Sequence, residues 1–216
     1  MSESALACLQ AEIVACRRCR EAGFFAEHTT VFAGPAGARL MVVGQAPAGG
    51  GTGRRPFSGP GGRRLFRWLR EAGWGEEEFR ASAYFTAVTK CYPGPGPNGK
   101  GDRVPSRQEQ DLCRPFLERE LALIRPSVII PIGRVAIEVF LGPVGSLEEI
   151  IGREFTAPGP LAPGARVVPL PHPSGANLWL NRPDHQAQVS RAMEILARMR
   201  AEFLRPEEAT KKGPLP

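Results

Sequence analysis

Five cysteines in 216 residues pose the first chemical question. Cys16-Arg17-Arg18-Cys19 has the two-residue spacing that turns two thiolates toward a common point, as a metal centre requires. Cys91 follows an apolar stretch and precedes a Pro/Gly-rich segment, and Cys113 comes 22 residues later. Together Cys16, Cys19, Cys91 and Cys113 make a four-thiolate site with a long-range closure. Such a donor set suits either a [4Fe-4S] cluster or zinc, and spacing alone does not separate the two. The alternative is that Cys91 and Cys113 are small buried hydrophobes. Two glycine- and proline-framed segments, the stretch from Gly44 to Gly62 and Pro171-His172-Pro173-Ser174-Gly175, offer loops that a ligand can approach closely.

These residues have to be positioned by regular elements. Hydrophobic periodicity predicts a helix over residues 4–16 and an apolar strand over 38–43 that ends at Gly44. After the glycine-rich loop, residues 63–72 carry Leu65, Phe66 and Leu69 at amphipathic spacing and read as a helix. A strand over 84–89 leads to Lys90-Cys91 and a long Gly/Pro/Asn loop. A helix over 107–123 carries Cys113, and the wholly apolar run 128–132 has the character of a strand buried in a parallel sheet. A helix over 136–141, a short strand over 167–170 and a helix over 184–203 complete the pattern. The alternation predicts an α/β fold: a three-layer α/β/α sandwich around a central, mainly parallel, four-stranded sheet, with ligands bound beyond the carboxyl ends of the strands. One domain is expected over residues 1–204, with an N-terminal cysteine-bearing segment and a disordered tail over 205–216.

Lys plus Arg outnumber Asp plus Glu by 28 to 22, a net charge of +6, which fits an anionic partner. The N-terminus lacks the pattern of a secretory signal, and no apolar run approaches the ~20 residues that cross a bilayer. The expectation is a soluble, monomeric, cytoplasmic protein, where cysteines more often bind metal than pair.

The cysteine pattern resembles the cluster ligands of the iron–sulfur-containing uracil-DNA glycosylases of families 4 and 5, with a CxxC near the N-terminus, a Lys-Cys after a strand and a fourth cysteine on the next helix. Gly44-Gln45-Ala46-Pro47-Ala48 followed by Thr52-Gly53-Arg54-Arg55-Pro56-Phe57-Ser58-Gly59 is similar to the first motif of that superfamily, and His172-Pro173-Ser174-Gly175-Ala176-Asn177 is similar to its second. The resemblance spans Cys16 to Asn177. It implies that the four cysteines hold a [4Fe-4S] cluster, that Cys8 is a core residue, and that the chain hydrolyses the N-glycosidic bond of uracil, or of another deaminated base, in DNA. A non-catalytic iron–sulfur module that binds DNA or damage on the same fold is the alternative.

By the same resemblance, His172 donates a hydrogen bond to the departing base while the amide of Gln45 positions water, and Phe57 stacks on the extruded base. Gly44, Ala46 and Ala87 complete the base pocket, while Asn98, in the loop after Cys91, is either a substitute base reader or a turn former. Leu178 or Trp179 enters the vacated space, with Asn177 in the same inserting segment, and Arg54, Arg55, Arg63, Arg64 and Arg182 meet phosphates. His28 and His185 are expected at the surface. Three positions depart from the family patterns: Gln45 replaces the acidic residue of the family-4 turn, Pro60 stands where family 5 is acidic, and Ala87 replaces the base-reading asparagine. A site of this kind relies on leaving-group stabilisation along a dissociative path and is expected to turn over slowly.

Overall fold

A computed structural model describes residues 3–29, 31–50, 55–99 and 101–204. Helix α1 (Glu3–Ala15) and the single turn α2 (Arg18–Glu21) precede a two-stranded antiparallel ribbon of β1 (Glu27–His28) and β4 (Cys91–Tyr92), in which His28 is opposite Cys91. The main sheet has the order β3 (Ala83–Ala87), β2 (Leu40–Gly44), β5 (Val128–Pro131), β7 (Arg166–Val167), β6 (Phe155–Thr156). The four expected strands run parallel, and the bridge from Ile132 to Leu170 prolongs the β5–β7 pairing. A two-residue antiparallel edge strand, β6, makes the sheet five-stranded. The segment 205–216, expected to be disordered, lies outside the described residues.

Strand alternation divides the core into two layers. Leu40, Val42, Phe85, Ile130 and Val168 face α3 (Pro60–Glu71) and α7 (Pro183–Leu204), where Leu65, Leu69, Met193 and Leu196 cover them. Met41, Val43, Tyr84, Ile129 and Val167 face α5 (Arg107–Ile124) and α6 (Arg134–Leu141), covered by Leu117, Leu121, Ala136 and Phe140. Helix α3 begins three residues before the predicted start because Pro60 occupies its first turn, where a missing N–H costs nothing. A short helix that the sequence reading lacks, α4 (Glu76–Ser82), buries only Phe79, so it carries almost no periodic signal.

Helix α1 is bound to α5 by Leu9 and Ile13 packing with Phe116 and Cys113, and by a bidentate contact of Arg119 to Glu12 at 2.5 and 2.7 Å. That contact delivers the N-terminal cysteine pair to the flank of α5. Cys8, expected in the core, is exposed on α1, pointing away from the stripe formed by Leu6, Leu9 and Ile13.

Candidate functional site

Two loops from adjacent strand ends and one from the sheet's far side enclose a cavity of about 370 Å³ beyond the carboxyl edge of the parallel sheet. Gly44 and Ala46 come from the β2 turn, Thr86 and Ala87 from the end of β3, Phe57 from the glycine-rich loop, and His172 from the segment after β7. A second groove of about 570 Å³ lies at the opposite end of the sheet, between α5 and residues 160–165. It is lined chiefly by prolines, leucines and alanines with Arg114, Glu118 and Arg125, and the first cavity, with its histidine and carboxylate, is the candidate functional site.

Phe57 forms one wall. Its ring lies against Gly44, whose added Cβ would stand 3.4 Å from the ring edge, and 6.2 Å from the ring of Phe85. The residue adopts φ +56°, a left-handed conformation that a bulky side chain reaches only when its surroundings impose it. Gly62 supplies one constraint, since a Cβ there would be 1.6 Å from the Phe57 carbonyl oxygen. Arg80 supplies the other. Its guanidinium donates to the carbonyls of Pro56 and Phe57 at 2.9 and 3.3 Å, lies 4.2 Å above the Phe66 ring and pairs with Glu76 at 3.0 Å.

His172 lines the same cavity as Phe57. Its Nδ1 accepts from the Ser174 backbone N–H at 3.3 Å, which places the proton of the neutral ring on Nε2, the nitrogen free to donate. Solvent reaches the ring through the open mouth, yet protein surrounds it on most sides. This crowding holds its pKa below the ordinary 6.5, against an opposing pull from Asp102. Gly133 lies beside the ring, where an added Cβ would stand 3.6 Å from its Cδ2. Asn177 fixes the loop by donating to the His172 carbonyl at 2.8 Å and accepting from the Trp179 N–H at 3.3 Å.

Asp102 is a site residue that the sequence reading missed. It is the single carboxylate among the described residues lining this cavity, and its charge acts on the nearby Tyr92 hydroxyl. Burial and the Asp102 and Glu27 charges push the Tyr92 phenol up. The loop is folded back by a bridge between Pro95 and Asp102 and by the Arg103 N–H bonding to the Gly94 carbonyl at 2.9 Å. Arg103 is then locked to Glu109 by contacts of 2.7 and 2.8 Å, while Glu109 and Ser106 form the capping box of α5. The capping-box sequence Ser106-Arg107-Gln108-Glu109 marks where the loop ends and α5 begins, and carries no signal for Asp102 itself.

The other expected site residues divide. Gly44, Ala46, Phe57, Ala87 and His172 line the cavity. Gln45 does not; its carbonyl turns to the Thr89 N–H at 3.1 Å. Asn98 lies in a 3-10 turn, Pro97–Gly99, and its side chain, like Arg54, is outside the described residues. Around the mouth, Arg55 is paired with Glu77 at 2.9 Å, Arg64 donates to the Ser174 carbonyl at 3.2 Å, and Arg63 is exposed on the first turn of α3. Arg182 is tied to Asp184 at 2.6 Å. Leu178 is 75% exposed, whereas Trp179 is stacked against His185. His185, expected at the surface, is buried beneath that indole.

Cys16, Cys19, Cys91 and Cys113 line a second, small cavity together with His28 and Lys90. Among the described residues no group of three or more Cys, His, Asp or Glu stands in a ligating arrangement around one point. The thiols are nonetheless near enough to oppose one another's ionisation. Burial, then the neighbouring thiols, pushes Cys91 up to about 12; burial pushes Cys113 up to about 11, against the pull of Lys90. Between the two cavities lies a buried ion pair. Lys90 Nζ contacts Glu120 at 2.5 Å, Thr86 Oγ1 at 2.7 Å and the Ala87 carbonyl at 2.6 Å, and the Lys90 backbone N–H donates to Cys113 Sγ at 3.2 Å.

Residues 31–196 match the family model of the uracil DNA glycosylase superfamily. The type-4 uracil-DNA glycosylase of Thermotoga maritima is 34% identical over 139 residues, covering 63% of this chain and 65% of that protein. The type-4 enzyme of Sulfurisphaera tokodaii is 28% identical over 152 residues, 68% of this chain and 64% of that protein. The type-5 uracil-DNA glycosylase of Pyrobaculum aerophilum is 29% identical over 181 residues, 78% of this chain and 74% of that protein. The chain thus spans just under two thirds of the length of the two type-4 relatives. With the family match running from the segment before β2 into α7, the chain belongs to the uracil-DNA glycosylase superfamily.

Proposed function

We propose that this chain hydrolyses the N-glycosidic bond of uracil in DNA and leaves an abasic site. The observation that carries the reading is that Phe57, His172 and Asp102 line one cavity. Cleavage develops negative charge on the departing base and oxocarbenium character on the sugar. The extruded base stacks on Phe57, and the Nε2–H of neutral His172 donates to its carbonyl oxygen as charge grows there. Asp102 orients the attacking water and offsets positive charge on the sugar, the task that Gln45 and Pro60 leave vacant. With Ala87 in place of an amide reader, discrimination between bases falls to backbone groups of the Gly44–Ala46 turn. Hypoxanthine is therefore a second substrate.

The donor set at Cys16, Cys19, Cys91 and Cys113 fits a [4Fe-4S] cluster. Burial raises the Cys19, Cys91 and Cys113 thiols, and a cationic centre would hold the set deprotonated. When bound, the cluster supplies a structural staple between the N-terminal segment, the Lys90–Cys91 corner and α5. Leu178 fills the space left by the flipped nucleotide, and the arginines at the mouth, Arg63 foremost, meet phosphates. Residues 1–204 act as one domain and as a monomer in the cytoplasm, where the chain meets DNA. No described helix is long and apolar enough to cross a membrane.

The deciding experiment incubates the purified protein with end-labelled duplexes carrying uracil, hypoxanthine or thymine opposite guanine, followed by alkaline cleavage. Strand scission at uracil that is lost in His172→Ala with DNA binding retained supports the glycosylase. Binding without scission by the unaltered protein identifies the non-catalytic alternative. Absorbance near 400 nm distinguishes the cluster from zinc.

A further inference from the structure

The segment that carries Leu178 is held from behind with unusual completeness. Residues Leu178–Asn181 form a 3-10 turn between the His172 loop and α7. The Trp179 indole lies flat on the His185 imidazole, with centroids 4.0 Å apart and planes 9° apart. The Nδ1–H of His185 donates to the Trp179 carbonyl at 2.7 Å, so one side chain clamps the tryptophan by both its ring and its backbone. His185 Nε2 has no hydrogen bond of good geometry, but it lies 3.0 Å from Glu148 Oε1. The same carboxylate oxygen accepts from the Trp179 indole N–H at 3.2 Å. Glu148 is itself held by Gln188, whose amide donates to its carbonyl at 2.7 Å, and by the Ser146 hydroxyl. One residue on, Leu180 is buried with Ile137, Ile150, Ile151 and Val189, and the Gln186 amide donates to its carbonyl at 3.0 Å.

The outcome is a lever with a fixed base and a free tip. Trp179 and Leu180 are anchored while Leu178 stands in solvent at 75% exposure. An exposed leucine costs hydrophobic free energy, and a rigid mount lets it do work on a base stack without first paying to be ordered. We infer that His185 and Glu148 are positioning residues for DNA entry, a brace that fixes the Trp179 platform so that Leu178 can push into a duplex. The inference rests on the glycosylase reading of the same site and adds a substrate distinction to it. The brace matters where a paired base has to be displaced and is dispensable where the base is already unstacked.

Uracil excision from duplex and from single-stranded DNA of the same sequence separates the two cases. Unstacking and unpairing a base costs a few kcal/mol, so removing the brace is expected to lower duplex kcat/KM by on the order of 10- to 100-fold. The single-strand value should change by less than about twofold. His185→Ala and the more exposed Glu148→Gln are the primary variants, and the latter guards against misfolding at the buried site. His185→Asn, whose amide can still donate to the Trp179 carbonyl, should recover part of the duplex rate. A 2-aminopurine next to the uracil supplies a readout independent of cleavage. Its fluorescence should rise on binding the unaltered protein and stay low with both primary variants at equal DNA occupancy. Equal losses on both substrates would reduce the brace to a fold-stabilising contact and overturn the inference, as would unchanged duplex activity in both variants. If the unaltered protein cleaves neither substrate, the glycosylase reading itself fails; the 2-aminopurine signal then still decides whether the brace opens a duplex.

Discussion

Removing the Lys90 ammonium while leaving Glu120 in place would strand a carboxylate at 0% exposure. Of the four contacts Glu120 makes with Tyr84, Thr86 and Lys90, the hydroxyl donations at 2.9 to 3.0 Å survive Lys90→Met and the 2.5 Å charge contact does not. Breaking a buried pair costs about 3 to 5 kcal/mol. With two hydroxyls still serving the carboxylate, Lys90→Met belongs near the lower end. Glu120→Leu belongs near the upper end, because it leaves a buried cation with two neutral acceptors and deprives the Tyr84 hydroxyl of a partner worth ~1 kcal/mol. For a chain of this size each kcal/mol moves Tm by roughly 2 to 4 °C, so the singles should melt roughly 6 to 20 °C below the unaltered protein. Lys90→Met with Glu120→Leu removes both charges, keeps the volume, and should lie within about 2 kcal/mol of the parent. Thermal unfolding followed by far-ultraviolet circular dichroism measures all three. A double variant as unstable as the sum of the singles would refute the reasoning, since the pair would then be valuable in itself and not merely costly to break.

Because crowding lowers the His172 pKa, the neutral ring that donates through Nε2 is the resting form at neutral pH. kcat should therefore be level there and fall on the acid side, below the ordinary value of 6.5. The stability linked to this histidine has the same sign: it is fully present above 6.5 and is lost as pH falls through the lowered folded value. His172→Ala should cost about 10²- to 10³-fold in kcat, the usual effect of deleting one donor to a developing oxyanion. Asp102→Asn, which keeps the side chain's shape but removes the charge, should lower kcat with little change in DNA affinity; an unchanged single-turnover rate would exclude Asp102 from water activation. Arg80→Ala releases the carbonyls of Pro56 and Phe57 and should raise KM for uracil-containing DNA, checked by steady-state kinetics on a duplex.

The layers of the fold were legible because strand and helix periodicities each express burial on one face. Leu65 and Leu69, or Met41 and Val43, announce their partners without any tertiary knowledge. The edge strand β6 and helix α4 were not legible, since two paired residues or a single buried Phe79 leave no period to read. Within the site, Phe57 and His172 were picked out by the resemblance of their glycine-framed motifs to those of the superfamily, and both line the cavity. Asp102 was hidden because a charged residue in a Gly/Pro/Asn loop has the composition of any solvated turn, and only the Pro95 bridge and the Arg103–Glu109 lock bring it inward. His185 misled for the converse reason. On the first turn of α7 it occupies a position that would be solvated if Trp179 were not laid across it.

The left-handed backbone of Phe57 sets two selective pressures against each other. Glycine at 57 would relieve a conformation that costs a non-glycine residue of order 1 to 3 kcal/mol, and would do so while erasing the stacking surface. Phe57→Gly should consequently be more heat-resistant than Phe57→Ala and equally poor at excision, which melting curves and the uracil assay measure side by side. A population propagated for thermal endurance without uracil to remove would drift toward glycine or asparagine at this position. One that must go on excising bases would keep the aromatic ring, and position 62 would be barred from any side chain for as long as it did.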